Sequence, residues 1–188
     1  MGTDKSQLLL EDQTFVERIA VTLLTVTDSI RLVGGRPNST FASKLSTVRD
    51  VYPQWGALGG LHAALTACRR EWAIVVACDL PFVTSELFRS LASMRDDHDA
   101  PHDAIVPKQP DGRPQPLAAL YRVDPCALRA NELIQAGQRR PLDLLQSVNT
   151  CWVAFAEIAN LDHAERFFVN INTPDDYYGV IRGPNTDQ

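Results

Sequence analysis

The feature that most constrains this chain is the run Trp72-Ala73-Ile74-Val75-Val76-Ala77-Cys78, which no polar residue interrupts and which Asp79-Leu80-Pro81 closes at once. It is far shorter than the ~20 residues that cross a bilayer. A strand covered by helices on both sides of a parallel sheet reads this way, because burial of both faces removes the usual alternation. Such a strand needs helical crossovers on either side of it, and the rest of the chain supplies them.

Thr14 and Glu17 form a capping-box pattern, followed by Phe15, Ile19 and Leu23 at helical spacing beside Val16, Ala20 and Leu24. A helix is predicted there. Ile30 to Val33 and Thr47 to Arg49 read as short strands, and Leu61, Ala64 and Leu65 as a helix after the glycine-rich segment Gly56 to Gly60. Thr84 or Ser85 caps a helix bearing Leu87, Phe88 and Leu91. Further strands are predicted at 104–106, 117–121, 151–155 and 167–169, and further helices at 125–136, 142–145 and from Thr173. Alternation of this kind predicts a three-layer α/β fold with a mainly parallel sheet, built as a single domain over residues 1–188. Such folds open with a strand and a glycine-rich turn, whereas this chain opens on polar residues leading into a helix. A strand and loop upstream of Met1 are therefore expected, with the numbered chain truncated relative to them.

Composition narrows the partners. Eighteen basic against 23 acidic residues leave a net charge of -5, without the dense basic cluster of a phosphate-backbone binder. Nucleic acid is excluded as a partner on this reading. No basic and apolar leader opens the sequence, so a cytoplasmic protein without membrane attachment is expected. Cys68, Cys78, Cys126 and Cys151 show neither zinc nor dithiol spacing and are expected to be buried thiols.

Several residues carry candidate chemistry, each beside a plainer reading. Asp79 stands at the carboxyl end of the apolar strand, where parallel sheets bind ligands, and suits Mg²⁺; the alternative is a capping aspartate before a proline turn. Gly56-Ala57-Leu58-Gly59-Gly60 ahead of a helix can present backbone N–H groups to a phosphate, or serve only as a turn. Asp50 can accept from a base or ribose, or be a solvated loop acid. Lys5 is one of only three lysines in the sequence and can act as a point charge on phosphates, or be a terminal lysine. Asn170 and Asn172 would share one strand face, ready for a polar ligand or for turn chemistry. His98 and His102 lie among acids but across Pro101, which favours a solvated loop over a metal site. Arg139 and Arg140 can grip an anion or complement a helix dipole.

Taken together and in order, Met1-Gly2-Thr3-Asp4-Lys5 with Leu8-Leu9-Leu10, Asp50 to Gly60, Cys78-Asp79-Leu80-Pro81-Phe82, Gln115 to Tyr121, Ala136-Gly137-Gln138-Arg139-Arg140 and Phe168 to Asp175 resemble the molybdenum cofactor guanylyltransferases. The resemblance implies a Rossmann-like nucleotidyltransferase fold and a Mg²⁺-dependent transfer of GMP from GTP to molybdopterin, with release of pyrophosphate. It implies Lys5 on the triphosphate, Asp50 on the guanosine, Asp79 on the metal, and Asn170 and Asn172 on the pterin side. Transient contact with molybdoenzymes or other proteins of cofactor synthesis is a further implication. The rival readings are a cytidylyltransferase of the same cofactor, a sugar-phosphate nucleotidyltransferase, and a non-catalytic cofactor-binding protein.

Overall fold

The computed structural model describes residues 9–10, 12–34, 45–96 and 101–171. A short antiparallel pair, β1 (Leu9–Leu10) and β2 (Gln13–Thr14), leads into helix α1 (Phe15–Leu24). The predicted capping box is present: the Glu17 N–H donates to Thr14 Oγ1 at 3.2 Å, and the Thr14 N–H donates to Glu17 Oε2 at 2.8 Å. Two of the four N–H groups a helix start leaves unpaired are answered locally.

Strands β3 (Arg31–Val33) and β4 (Ser46–Val48) pair in parallel, and a 3₁₀ turn at Pro53–Trp55 runs into α2 (Gly56–Ala67). The apolar run forms β5 (Trp72–Val76). After α3 (Ser85–Ser93) come β6 (Ala104–Pro107), β7 (Ala118–Arg122), α4 (Val123–Gln135), α5 (Pro141–Leu145), β8 (Thr150–Val153) and the short α6 (Phe155–Ile158). The four-stranded sheet has the order β5-β7-β6-β8. Since β7 is antiparallel to both β5 and β6 while β8 is parallel to β6, three of the four strands share one direction. The reversal of β7 follows from its connection. Residues 108–117 carry a turn, closed by the Gly112 N–H on the Gln109 carbonyl at 2.9 Å, and a parallel strand would need a helical crossover instead.

Helices cover both faces of this sheet, which makes the three layers. On one side Leu23, Leu87, Phe88, Leu91 and Phe167 pack with Ile105 and Leu120. On the other, Leu58, Leu61, Leu65, Cys126, Ala130, Ile134 and Leu144 pack with Ala104, Val106, Ala119 and Tyr121. Successive residues of β6 and β7 thus feed opposite cores, as the period of two requires. Burial of each large apolar side chain contributes roughly 1.5–3 kcal/mol.

Three expectations are corrected. The first is the burial of β5, whose residues are all only half buried. Among the described residues β5 pairs with β7 alone, and its other edge faces an apolar groove of about 800 Å³ that reaches across to Leu32 and Val33 of β3. The second is the strand predicted at 167–169. A 3₁₀ turn at Ala164–Arg166 follows His163 in the left-handed conformation (φ 62°), Phe167 keeps helical backbone angles (φ -51°, ψ -37°), and the Val169 N–H folds back onto the Arg166 carbonyl at 3.0 Å, so the segment turns where a strand would extend. The third is the thiols: only Cys126 is buried, its pKa pushed up to about 12 by burial and by the neighbouring Asp103. Among the described residues no helix is long and apolar enough to cross a membrane.

Candidate functional site

The carboxyl end of β5 turns sharply. The Ala77 N–H donates to the Leu117 carbonyl at 2.8 Å, and the Leu80 N–H folds back onto the Ala77 carbonyl at 3.2 Å, which leaves Asp79 half buried at the apex. The following residues are clamped from behind. Arg18 Nε of α1 donates to the Pro81 carbonyl at 3.1 Å, and the guanidinium groups of Arg18 and Arg166 lie 5.9 Å and 4.2 Å from the centre of the Phe82 ring. This turn therefore has little freedom, as a ligand-bearing carboxylate requires.

The chain returns to the same turn much later. The Ile171 N–H donates to the Asp79 carbonyl at 3.2 Å, and the Ile171 side chain is fully buried against Phe15 and Phe82. Asn170, one residue earlier, is exposed. Asp79 and Asn170 are thus brought to one place across ninety residues of sequence, although Asn170 sits in irregular backbone rather than in the strand expected of it. Lys5 and Asn172 lie outside the described residues.

Asp50 follows β4. Its Oδ1 accepts the Tyr52 N–H at 2.8 Å, an Asx turn that leads the chain into the Pro53–Trp55 turn and α2. The segment Gly56 to Gly60 is a correction to the sequence reading: it is the first turn of α2 itself rather than a loop ahead of it. Gly56 is needed for its backbone (φ 55°, ψ -137°). Gly59 is needed for packing, because a Cβ there would stand 2.4 Å from the Tyr52 carbonyl oxygen. The start of α2 has no side-chain cap and no acid in its first turn, so its N–H groups and the positive end of its dipole suit an anion. Ala57 and Gly60 from that turn line the groove together with Val33, Ala77 and Cys78, which sets the ends of β3 and β5 and the start of α2 around one opening.

Sequence reading missed the residues that hold Asp50 and the α2 turn. Tyr52 Oη donates to Asn131 Oδ1 at 3.2 Å and accepts from Gln135 Nε2 at 3.1 Å, both on α4. Its ring lies 5.3 Å from that of His62, which is nine-tenths buried and whose Nδ1 has no hydrogen-bond partner. Burial lowers the His62 pKa, and the nearby Asp50 carboxylate opposes that shift. Arg139 stacks over Trp55, 4.4 Å from the ring centre, while Arg140 pairs with Asp143 at 2.9 Å at the start of α5. Neither arginine serves a helix C-terminus. His102 is described and His98 is not, and among the described residues no three His, Cys, Asp or Glu side chains gather as a metal cage.

Residues 1–150 match the family model described as the MobA-like NTP transferase domain. A Clostridium perfringens protein named as a probable molybdenum cofactor guanylyltransferase is 29% identical over 180 residues, covering 95% of this chain and 88% of its own. A Methanothermobacter thermautotrophicus protein of the same name is 31% identical over 182 residues, covering 94% and 90%. Among solved structures, molybdopterin-guanine dinucleotide biosynthesis protein A from Archaeoglobus fulgidus superposes with a TM-score of 0.74 at 26% identity, covering 94% of this chain and 88% of that one.

Proposed function

The chain belongs to the MobA-like NTP transferase family, and from that premise we propose that it transfers GMP from GTP to the terminal phosphate of molybdopterin in the cytoplasm. The products are pyrophosphate and the guanine dinucleotide form of the molybdenum cofactor. The observation that carries this reading is the junction at the end of β5, where the turn bearing Asp79 is tied to the segment bearing Asn170 through the Ile171 N–H. One ligand-binding strand end thereby meets two chain segments, as a reaction between two substrates needs.

In the transfer, an oxygen of the acceptor phosphate bonds to the α-phosphorus of GTP while the bond from that phosphorus to the bridging oxygen of the β-phosphate breaks. Pyrophosphate leaves with the bridging oxygen. The protein contributes position and charge rather than covalent chemistry. Asp50 binds the guanosine, Lys5 the triphosphate, and Asn170 with Asn172 the pterin side, while the uncapped start of α2 adds donors to phosphate. Asp79 would hold Mg²⁺. The donor set fits that ion, since a single half-buried carboxylate at a strand end leaves the remaining positions to substrate phosphates and water, which is how Mg²⁺ is usually bound. When bound, the ion neutralises phosphate charge. Transient contact with molybdoenzymes would pass the product on.

The test is Asp79→Asn, assayed for pyrophosphate release from GTP with molybdopterin and Mg²⁺. Turnover is expected to fall by at least ~100-fold, about 2.7 kcal/mol of barrier, with the circular dichroism spectrum unchanged. Turnover within about tenfold of the parent would refute the assignment of Asp79.

A further inference from the structure

We propose that Tyr52 is a positioning residue for GTP, acting through Asp50; the proposal rests on the reading above that Asp50 contacts the guanosine. Tyr52 is tied on every side. Its N–H holds Asp50 Oδ1, its carbonyl accepts the Trp55 N–H at 2.9 Å and abuts Gly59, its ring packs against His62, and its hydroxyl joins Asn131 and Gln135. Asn131 and Gln135 lie four apart and so share one face of α4. The hydroxyl therefore anchors the Asp50 turn to a helix that is packed into the core along Cys126, Ala130 and Ile134.

The carboxylate gains a fixed orientation from this arrangement. With Oδ1 engaged by the Tyr52 N–H, rotation of the Asp50 carboxylate breaks a hydrogen bond, and Oδ2 has no partner among the described residues. An oxygen so placed accepts from a ribose hydroxyl or a base N–H without first losing rotational freedom, and that saving appears in binding rather than in the transfer step. His62 packs beside the ring, with the two ring centres 5.3 Å apart at a tilt of 58°, and is itself nine-tenths buried, so the ring has a fixed neighbour. Tyr52 itself need not touch GTP.

The experiment is a double-mutant cycle on the full chain with GTP as the probe, measured by calorimetric titration in Mg²⁺ and by steady-state kinetics. Tyr52→Phe retains the ring, the N–H and the carbonyl and removes only the anchor to α4. The GTP Kd and KM are expected to rise roughly 3- to 10-fold, with kcat within about twofold. In an Asp50→Asn background the same change should add nothing further. Gln135→Ala, at an exposed position, removes one hydroxyl partner without touching the turn and should reproduce part of the loss, whatever the stability of Tyr52→Phe. An unchanged GTP Kd in Tyr52→Phe and Gln135→Ala, or an equal loss in both backgrounds, would overturn the proposal while leaving Asp50 as a nucleotide contact. An Asp50→Asn variant that binds GTP like the parent would overturn the reading of Asp50 itself, and with it the proposal.

Discussion

Gly59 and Gly60 are neighbours in the first turns of one helix, and replacing each by alanine should move stability in opposite directions. Either change gains up to about 1 kcal/mol of helix propensity, since alanine loses less backbone freedom than glycine on folding. At Gly60 a Cβ meets nothing within 4 Å, so the gain is kept. At Gly59 the Cβ would lie 2.4 Å from the Tyr52 carbonyl oxygen and 3.1 Å from Trp55 Cβ, where ordinary contact begins at 3.4 Å. The closer neighbour is backbone, so no rotamer change relieves the clash. It is also backbone that cannot retreat by the ångström required, because the Tyr52 ring, hydroxyl and N–H are all engaged. Overpacking of this kind costs about 1–3 kcal/mol, and here the upper end applies. Gly59→Ala should be about 1–2 kcal/mol less stable than the parent and Gly60→Ala equal to it or slightly more stable. For a chain of this size the two melting temperatures should differ by roughly 5–10 °C. Thermal unfolding followed by circular dichroism measures this directly, and coincident melting curves would show that Gly59 is not a packing glycine.

Thr14→Ala removes the hydroxyl that caps α1 and should lower stability by about 1 kcal/mol, read as a melting temperature about 2–4 °C lower; no change would mean that the helix start is held by other means. His62 supplies a pH dependence whose sign is fixed by burial. Its pKa in the folded protein lies below the ordinary 6.5, so between the two values the unfolded chain binds more protons and stability falls as pH falls. The contribution is complete above pH 6.5 and is lost progressively below it. Urea midpoints at pH 7.5 and 5.5 should therefore differ more in the parent than in His62→Gln, and equal differences would remove His62 from the account.

Features set by neighbours in sequence were legible without a structure. The Thr14–Glu17 box, the helices bearing Leu61 and Leu87, the strand at Trp72–Val76 and the turn that puts Asp79 at its end all depend on burial period, caps and turn residues within a few positions. The likeness of ordered motifs to a family likewise needs only the sequence. What the sequence left undetermined depends on surfaces that meet across long separations. The half-burial of β5 follows from which strand pairs with it, and the placement of β7 between β5 and β6 is a choice among pairings that local patterns leave equal. The two buried phenylalanines at 167 and 168 look like the start of a strand until the turn begun at Ala164–Arg166 is seen to run on through them. Gly59 can be read from sequence as a phosphate-binding or a turn glycine, and only the Tyr52 carbonyl lying against it shows why no Cβ fits there. The clamp on Asp50 is the clearest case: Tyr52 and Asn131 are 79 positions apart, and no periodicity in either segment encodes that a phenol on one will fall within hydrogen-bonding reach of an amide on the other. Local propensity acts over a few residues and can set the Asx turn at Asp50, whereas the contact that ties Tyr52 of that turn to α4 exists only once two helices have packed on the same sheet.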